Sequence, residues 1–307
     1  MFQYNNWYVA GWSSDFDREL KAEMFLGKNI VFYRKENGDP VALEDSCPHR
    51  KLPLSMGRLQ GDAVVCGYHG LTFDCSGSCI AAPTQKDNIP KRASVSSYLV
   101  IDRYRYLWIW MGEPHLADPS KIFPIENFDN LDWGYTDGGV LDIDCNYLWV
   151  VDNLLDPSHV AWVHVGTFGG AGTDGGDLAV EKTDRGVIVS RWIYGQPPSP
   201  YYKNLVKFDG ICDRLQHYEM CFPGIGLNKS IYTPPGTGGP GSEPVEKTYI
   251  NISYNFMTPI DENRTRYFWF QHRNTDPNDM AVSEVMNKGA YMAFEEDRVI
   301  LEKVHIG

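Results

Sequence analysis

The stretch CPHRKLPLSMGRLQGDAVVCGYHG, residues 47–70, carries two Cys–His pairs. One residue lies between Cys47 and His49, two lie between Cys66 and His69, and sixteen separate the pairs. Both pairs fall where a strand-like run gives way to a loop. Around them, residues 1 to about 112 hold the runs WYVAGW, NIVFYRK, PVALEDS, AVVCGYHGLTFD and YLVIDRYRYLWIWMG. These are rich in Val, Ile, Tyr and Trp and are broken by Gly, Asp and Pro, which predicts an all-β N-terminal domain. The segment GEPHLADPSKIFP, residues 112–124 with three prolines, marks the boundary. The expected domains are 1–118 and 119–307.

Two thiolates and two imidazoles can hold one tetrahedral zinc or a two-iron cluster, with both Cys on one iron and both His on the other. Zinc sites typically group like ligands at short spacing, whereas each loop here supplies one thiolate and one imidazole. That alternation suits the cluster, and the spacing resembles the Rieske motif, C-x-H followed by C-x-x-H. Neither loop has a further Cys beside its ligands, so no disulfide ties the loops together. A potential at the low end of the Rieske range, around −150 mV, is expected. Cys75 and Cys79, in FDCSGSC, have no His to complete a site and read as small hairpin thiols.

Past the boundary, residues 146–166 contain VVDNLLDPSHVAWVH, where Leu148, Val151, Leu155, His159 and Trp162 recur at helical spacing. One helix is expected across the segment. A lone apolar-face His is ordinarily a core residue, but His159 and His164 come as a pair with Asp156 just ahead. Two imidazoles and a carboxylate on one face of Fe(II) leave positions open for dioxygen and substrate. The final amphipathic helix, about residues 277–304, offers FEEDRVILE; Asp297 shares its apolar stripe with Phe294, Ile300 and Leu301, while Glu295 and Glu296 lie off it. Asp297 is therefore the expected third ligand. His159 and His164 stand about 140° apart on a regular helix, so a distortion such as a π-type bulge is expected between Val160 and His164. Asp156 shares a face with His159 and is placed to accept its second ring N–H.

Strands return in GVIVSRWIYG, LQHYEMCFPG, TYINISYNFMTPI and TRYFWFQHRN, so the chain reads as α+β. Alternation in the last run puts Trp269, Gln271 and Arg273 on one face and Phe268, Phe270 and His272 on the other. His272 or Arg273 is a candidate for a substrate carboxylate or sulfonate; Trp269 and His217 are further pocket candidates. His115 and His305 read as surface residues. The glycine-rich residues 166–176 lack the strand, helix and Lys of a phosphate cradle and read as a mobile loop. PPGTGGPGSEP, residues 234–244, reads as an exposed loop.

The 307 residues are 43% apolar and 22% charged, and the net charge of −12 argues against nucleic acid or an anionic membrane as partner. MFQYNNWYVAGW lacks the pattern of a signal peptide, and the apolar runs are too short to span a bilayer. Seven cysteines with two committed to a metal point to a reduced, cytoplasmic setting.

The motifs together resemble the oxygenase component of Rieske non-heme iron oxygenases, and most closely the aromatic-acid O-demethylase group with vanillate O-demethylase, dicamba O-demethylase and toluenesulfonate methyl-monooxygenase. The matching pieces include NNWYVA, EDSCPHRKLPLSMG, VCGYHGLTFD, RYLWIW, VVDNLLDPSHVAWVH and FEEDRVILE. The resemblance implies a Rieske domain followed by a catalytic domain with an antiparallel sheet and helices of Bet v1-like, helix-grip type. It implies a 2Fe-2S cluster, a mononuclear Fe(II), dioxygen as co-substrate, a small aromatic substrate and a head-to-tail homotrimer. In that trimer an electron passes from His69 of one subunit to His159 of the next across Asp156, and Asn153 stands near the iron. The chain encodes neither a flavin nor a nicotinamide site, so a separate NAD(P)H-dependent reductase of flavin or ferredoxin type is implied, with Arg50 and Lys51 as candidate contacts. Gly307 lies ten residues after Asp297, so the C-terminal helix is expected to be shorter than in relatives. The expected reaction is monooxygenation of an aromatic acid, by O-demethylation or methyl hydroxylation. A cis-dihydroxylating dioxygenase would use the same metals, an electron-transfer protein would lack the mononuclear iron, and a zinc-stabilised binding module would be colourless.

Overall fold

Ile30, Val31, Phe32 and Tyr33 are all buried. A strand with one solvated face alternates, so a run without alternation must be covered on both sides. The computed structural model, which describes residues 1–86, 88–89 and 92–307, shows how. The chain divides into two compact units, Met1–Pro124 with Thr258–Glu262, and Ile125–Met257 with Asn263–Gly307.

The first unit holds β1 (Asn6–Trp12), β2 (Lys21–Phe25), β3 (Lys28–Arg34), β4 (Pro40–Glu44), β5 (Arg58–Gln60), β6 (Ala63–Val65), β7 (Thr72–Phe73), β8 (Cys79–Ala81), β9 (Ser97–Tyr98), β10 (Val100–Arg103) and β11 (Tyr106–Met111). They form three sheets, ordered β2-β3-β4-β9, β1-β11-β10 and β5-β6-β7-β8. Ile30 and Phe32 of β3 pack with Tyr8, Phe25, Leu107 and Ile109. Val31 and Tyr33 pack with Leu54, Val64, Phe73, Cys47 and Cys66. The two candidate thiolates thus belong to a hydrophobic core. YLVIDRYRYLWIWMG folds back on itself at Tyr104 and Arg105, whose φ values of 54 and 68 make the double left-handed turn that matches strand twist. No Asn or Gly announces that turn. AVVCGYHGLTFD is likewise divided, into β6 and β7 with the second ligand loop between them.

The second unit holds β12 (Gly134–Tyr135), β13 (Gly139–Ile143), α1 (Tyr147–Leu155), α2 (Val160–Val163), β14 (Ala179–Thr183), β15 (Gly186–Gln196), β16 (Cys212–Cys221), β17 (Ile225–Thr233), β18 (Tyr249–Asp261, whose last residues fall in the first unit), β19 (Arg264–Arg273) and α3 (Met280–Ile306). One eight-stranded sheet runs β12-β19-β18-β17-β16-β15-β14, with β13 also on β19. α1 lies against β16 and β17, and α3 against β13 and α1. Asp279 starts α3 by accepting the Val282 N–H. β17, IGLNKSIYT, lacks the apolar alternation of a core strand because its inward positions are polar. Among the described residues no helix is long and apolar enough to cross a membrane.

Candidate active site

The two Cys–His loops share one backbone plan. In the first, Cys47 N–H donates to the Leu52 carbonyl at 2.9 Å and Lys51 N–H to the Cys47 carbonyl at 2.9 Å. In the second, Cys66 N–H donates to the Leu71 carbonyl at 2.8 Å and Gly70 N–H to the Cys66 carbonyl at 3.1 Å. Lys51 and Gly70 occupy the same left-handed conformation, at φ 60 and 74. Where the loops approach each other the chain has glycine, since a Cβ on Gly67 would lie 2.8 Å from the Met56 carbonyl oxygen. Buried Asp45 accepts the Ser55 N–H and hydroxyl, each at 2.7 Å. Cys47 and Cys66 end at 2% exposure, while His49 and His69 stand at the rim with their Nδ1 atoms 3.1 Å apart. Two cis ligands of one metal, with bonds of about 2.1 Å, stand roughly that far apart. Burial pushes the Cys47 thiol pKa up, so a thiolate there needs the charge of a metal. This donor set, with both thiols in the core and both imidazoles at the rim, fits a two-iron cluster.

In the second unit the expected single helix is broken. Pro157 disfavours helical geometry at the residue before it; Asp156 is extended at φ −92, ψ 102, and α1 ends there. His159 then opens the one-turn α2, and His164 leaves it at φ −102, ψ 34. Within that turn Val163 N–H donates to the His159 carbonyl at 2.8 Å and His164 N–H to the Val160 carbonyl at 3.3 Å, ordinary α-helical pairings. The expected π-type bulge is therefore replaced by a break before His159 and an exit at His164, which together overcome the 140° separation.

His159 Nε2 lies 3.6 Å and His164 Nε2 3.1 Å from Asp297 Oδ1, and the three ligand atoms all fall within 4.8 Å of one another. The outer ring nitrogens have acceptors of their own. His159 Nδ1–H donates to the Asp156 carbonyl at 2.5 Å, and His164 Nδ1–H to Glu296 Oε2 at 2.8 Å. Glu296 also accepts the Thr167 hydroxyl at 3.2 Å. A carbonyl oxygen only accepts, so His159 carries its proton on Nδ1 and turns a bare Nε2 inward. Burial lowers the His159 pKa despite the nearby Asp297, which keeps that ring neutral. Burial pushes His164 down as well, but Asp297 and Glu296 outweigh it and raise its pKa. Asp297 Oδ1 is buried without a hydrogen-bond partner. Three electron-pair donors converging on one point, one of them an unsatisfied carboxylate oxygen, fit a cation held by two His and one carboxylate.

These ligands line a cavity in the second unit. Leu154, Val160, Phe168 and Phe294 are its apolar walls, and its polar wall comes from alternate positions of the sheet, Arg214, Gln216 and Tyr218 on β16, Asn228, Ser230 and Tyr232 on β17, Ser253 and Asn255 on β18, and Gln271 on β19. Arg214 pairs with Tyr232, Gln216 with Ser230 and Tyr218 with Asn228 across β16 and β17, so this wall is one face of the sheet.

The pocket candidates from the sequence stand elsewhere. His217 has the opposite parity to Gln216 and faces away, 3.5 Å from Glu219. His272 is opposite to Gln271 and packs among Phe128, Tyr254 and Phe270. Arg273 shares the parity of Gln271 but is spent on the Ser283 hydroxyl and the Asp276 and Asp279 carbonyls, at 2.8–2.9 Å, fastening the start of α3. Trp269 is covered by Phe294 at 5.0 Å and Tyr291 at 6.1 Å between ring centroids. Asp156 presents its carbonyl, not its carboxylate, to His159; the carboxylate accepts the Ser158 N–H at 2.7 Å and is exposed. Asn153 is absent from the cavity lining. Cys75 and Cys79 are hydrogen-bonded to the Asp62 and Ala81 carbonyls. Arg50 and Lys51 are exposed. The glycine-rich loop is tied down, because Arg191 donates to the Thr173 and Gly175 carbonyls at 2.5 and 2.9 Å and to the Pro157 carbonyl at 3.3 Å. Glu296, which accepts the outer N–H of His164, is not among the residues the sequence singles out. Its signal was adjacency to Asp297, discounted because it lies off the apolar stripe.

Comparison with known proteins bears on both sites. Residues 6–99 match the Rieske 2Fe-2S domain and residues 143–307 the vanillate O-demethylase oxygenase C-terminal domain. The chain is 37% identical over 306 residues to the toluene-4-sulfonate monooxygenase system iron-sulfur subunit of Comamonas testosteroni, covering 98% of this chain and 88% of that one. It is 32% identical over 308 residues to the vanillate O-demethylase oxygenase subunit of a Pseudomonas species, covering 99% and 86%. Dicamba monooxygenase, solved with 3,6-dichlorosalicylic acid, superposes with a TM-score of 0.89 at 30% identity over 98% of this chain and 87% of that one; the same enzyme has been solved with non-heme iron and dicamba. With a Cys–His cradle in one unit and a His–His–Asp centre at a cavity in the other, the chain belongs to the Rieske non-heme iron oxygenases, as an oxygenase component of the vanillate O-demethylase family, and its cofactors are a Rieske 2Fe-2S cluster and a mononuclear iron that acts with dioxygen.

Proposed function

We propose that this oxygenase hydroxylates a methyl or O-methyl carbon of a small aromatic acid. The observation that carries the reading is the convergence of His159, His164 and Asp297 on a cavity with apolar walls and one polar wall. Iron and cluster supply reductive dioxygen activation when bound. The protein's part is positioning. Asp156 and Glu296 hold the two imidazoles with Nε2 inward, Phe168 and Phe294 offer apolar surface to a ring, and the polar wall of β16 and β17 orients its substituents. In the balanced reaction one oxygen atom enters the C–H bond and the other leaves as water, using two electrons from a reductase and two protons. If the carbon is an O-methyl group, the hemiacetal collapses to a phenol and formaldehyde.

Cys47, His49, Cys66 and His69 are the cluster ligands in this reading, and His159, His164 and Asp297 the iron ligands. The electron comes from a separate NAD(P)H-dependent reductase. It then crosses between subunits of a trimer, from His69 of one to His159 of its neighbour by way of the exposed Asp156 carboxylate. Exposed apolar side chains on the second unit, Trp162, Met292, Val299 and Ile300, support self-association. Seven free cysteines support a reducing compartment.

The test is a single turnover of chemically reduced enzyme under labelled dioxygen, with methoxy-, methyl- and unsubstituted aromatic acids. A demethylated or hydroxymethyl product, with one labelled atom delivered to the attacked carbon, is expected. A doubly labelled cis-diol would move the chain to the dihydroxylating branch.

A further inference from the structure

Arg214 is 3% exposed and lines the cavity. Its Nη1 donates to the Tyr232 hydroxyl at 3.3 Å, while its Nη2 is buried with no hydrogen-bond partner. The guanidinium lies 5.7 Å from the Tyr232 ring centroid, and the Gly170 backbone closes over it, so that a Cβ there would sit 3.9 Å from Nη1. Burial pulls its pKa down, but Tyr232, Tyr218 and Cys212 outweigh it and raise the pKa, so the guanidinium stays charged. Apart from the iron ligands His159 and His164, it is the sole basic side chain among the described residues lining the cavity.

Its neighbour Arg191 shows what a structural guanidinium looks like in this protein. Arg191 is also buried, but it donates to Gln216 and to three backbone carbonyls. A buried guanidinium nitrogen without an acceptor leaves a donor unsatisfied, and the planar fork of a residue at a cavity wall matches the oxygens of a carboxylate or sulfonate. Gln216, beside it on the wall, has its carbonyl oxygen turned to Arg191 and so leaves its amide N–H groups for an oxyanion.

We propose that Arg214 is the specificity-determining residue of this site. Its Nη2 binds the anionic group of an aromatic substrate and so sets which ring carbon is presented to the His159–His164–Asp297 centre. This rests on the proposed aromatic-acid reading and assigns the charge recognition to one residue, on β16, outside the candidates His272, Arg273, His217 and Trp269.

The experiment is calorimetric binding to the oxidised holoenzyme, with no reductant, of two matched pairs: toluene-4-sulfonate against toluene-4-sulfonamide, and para-methoxybenzoate against para-methoxybenzamide. In wild type at least one anion binds about tenfold or more tighter than its neutral partner, and the pair that discriminates tells sulfonate from carboxylate. In Arg214→Gln that ratio falls to about one while the neutral partner's affinity stays within about twofold. If Arg214→Gln loses its cluster absorption and does not fold, Arg214→Lys decides, because a point charge without the fork reduces the ratio at least about threefold. Equal binding of anion and neutral partner in wild type, or a ratio undiminished in the folded variant, overturns the assignment. No electrons are supplied, so a failure here is separable from failure of the oxygenation reading, which the labelled-dioxygen turnover tests.

Discussion

At the scale of single residues, the proposed iron site is decided by where protons sit. Each ligand His meets an acceptor on its outer nitrogen, so both inner nitrogens are available to a metal. Glu296 is the less expected of the two acceptors, and outer partners of this kind are worth roughly 10- to 100-fold in metal affinity. Glu296→Ala should therefore lose iron about that much faster or more completely to a chelator, with the cluster absorption unchanged; iron retention equal to wild type would show that Thr167 and packing suffice to hold His164. Asp156 makes the opposite case. Its backbone carbonyl orients His159, and its carboxylate caps the Ser158 N–H, a bond that Asn can also accept. Asp156→Asn is thus expected to fold and to hold both metals, yet to lose most of its turnover, because the proposed carboxylate link between cluster and iron would be gone. Full turnover with both metals present would remove the bridging role.

At the scale of elements, two breaks do what one distorted helix was expected to do. Asp156-Pro157 stops α1, and His164 exits α2 into a turn in which Thr167 and Gly169 N–H both donate to the His164 carbonyl, at 3.0 and 2.7 Å. Gly169 is required there, since a Cβ would come 2.7 Å from that carbonyl oxygen and 3.0 Å from that of Val160. Gly169→Ala should cost about 1–3 kcal/mol of stability and lower the iron content, measured by thermal unfolding and metal analysis. Wild-type values for both would mean the turn yields without moving His164. The same scale explains the pocket candidates. Alternation correctly separated Gln271 from His272, and period two likewise separates Gln216 from His217, but it does not say which face is enclosed.

At the scale of the whole molecule, every candidate cluster ligand lies in the first unit and every candidate iron ligand in the second. Mild reduction with a chelator should accordingly remove about one iron of about three per chain, abolish turnover, and leave the visible cluster absorption intact. Parallel loss of colour and mononuclear iron would show that the two centres are not independently held. The sequence by itself determined the ligand chemistry and the β-rich framework, because Cys–His spacing, the His–His pair and two-residue periodicity are properties of a few neighbouring residues. It also singled out Asp297, since a helical stripe is local too. Only the tertiary structure decided that Glu296 reaches across 132 positions to His164, that the polar face of β17 lines a cavity, and that Arg214 Nη2 is left without a partner. Those outcomes depend on which strand lies beside which and on what covers each face, and that information resides in contacts between distant segments, beyond the range of any local pattern.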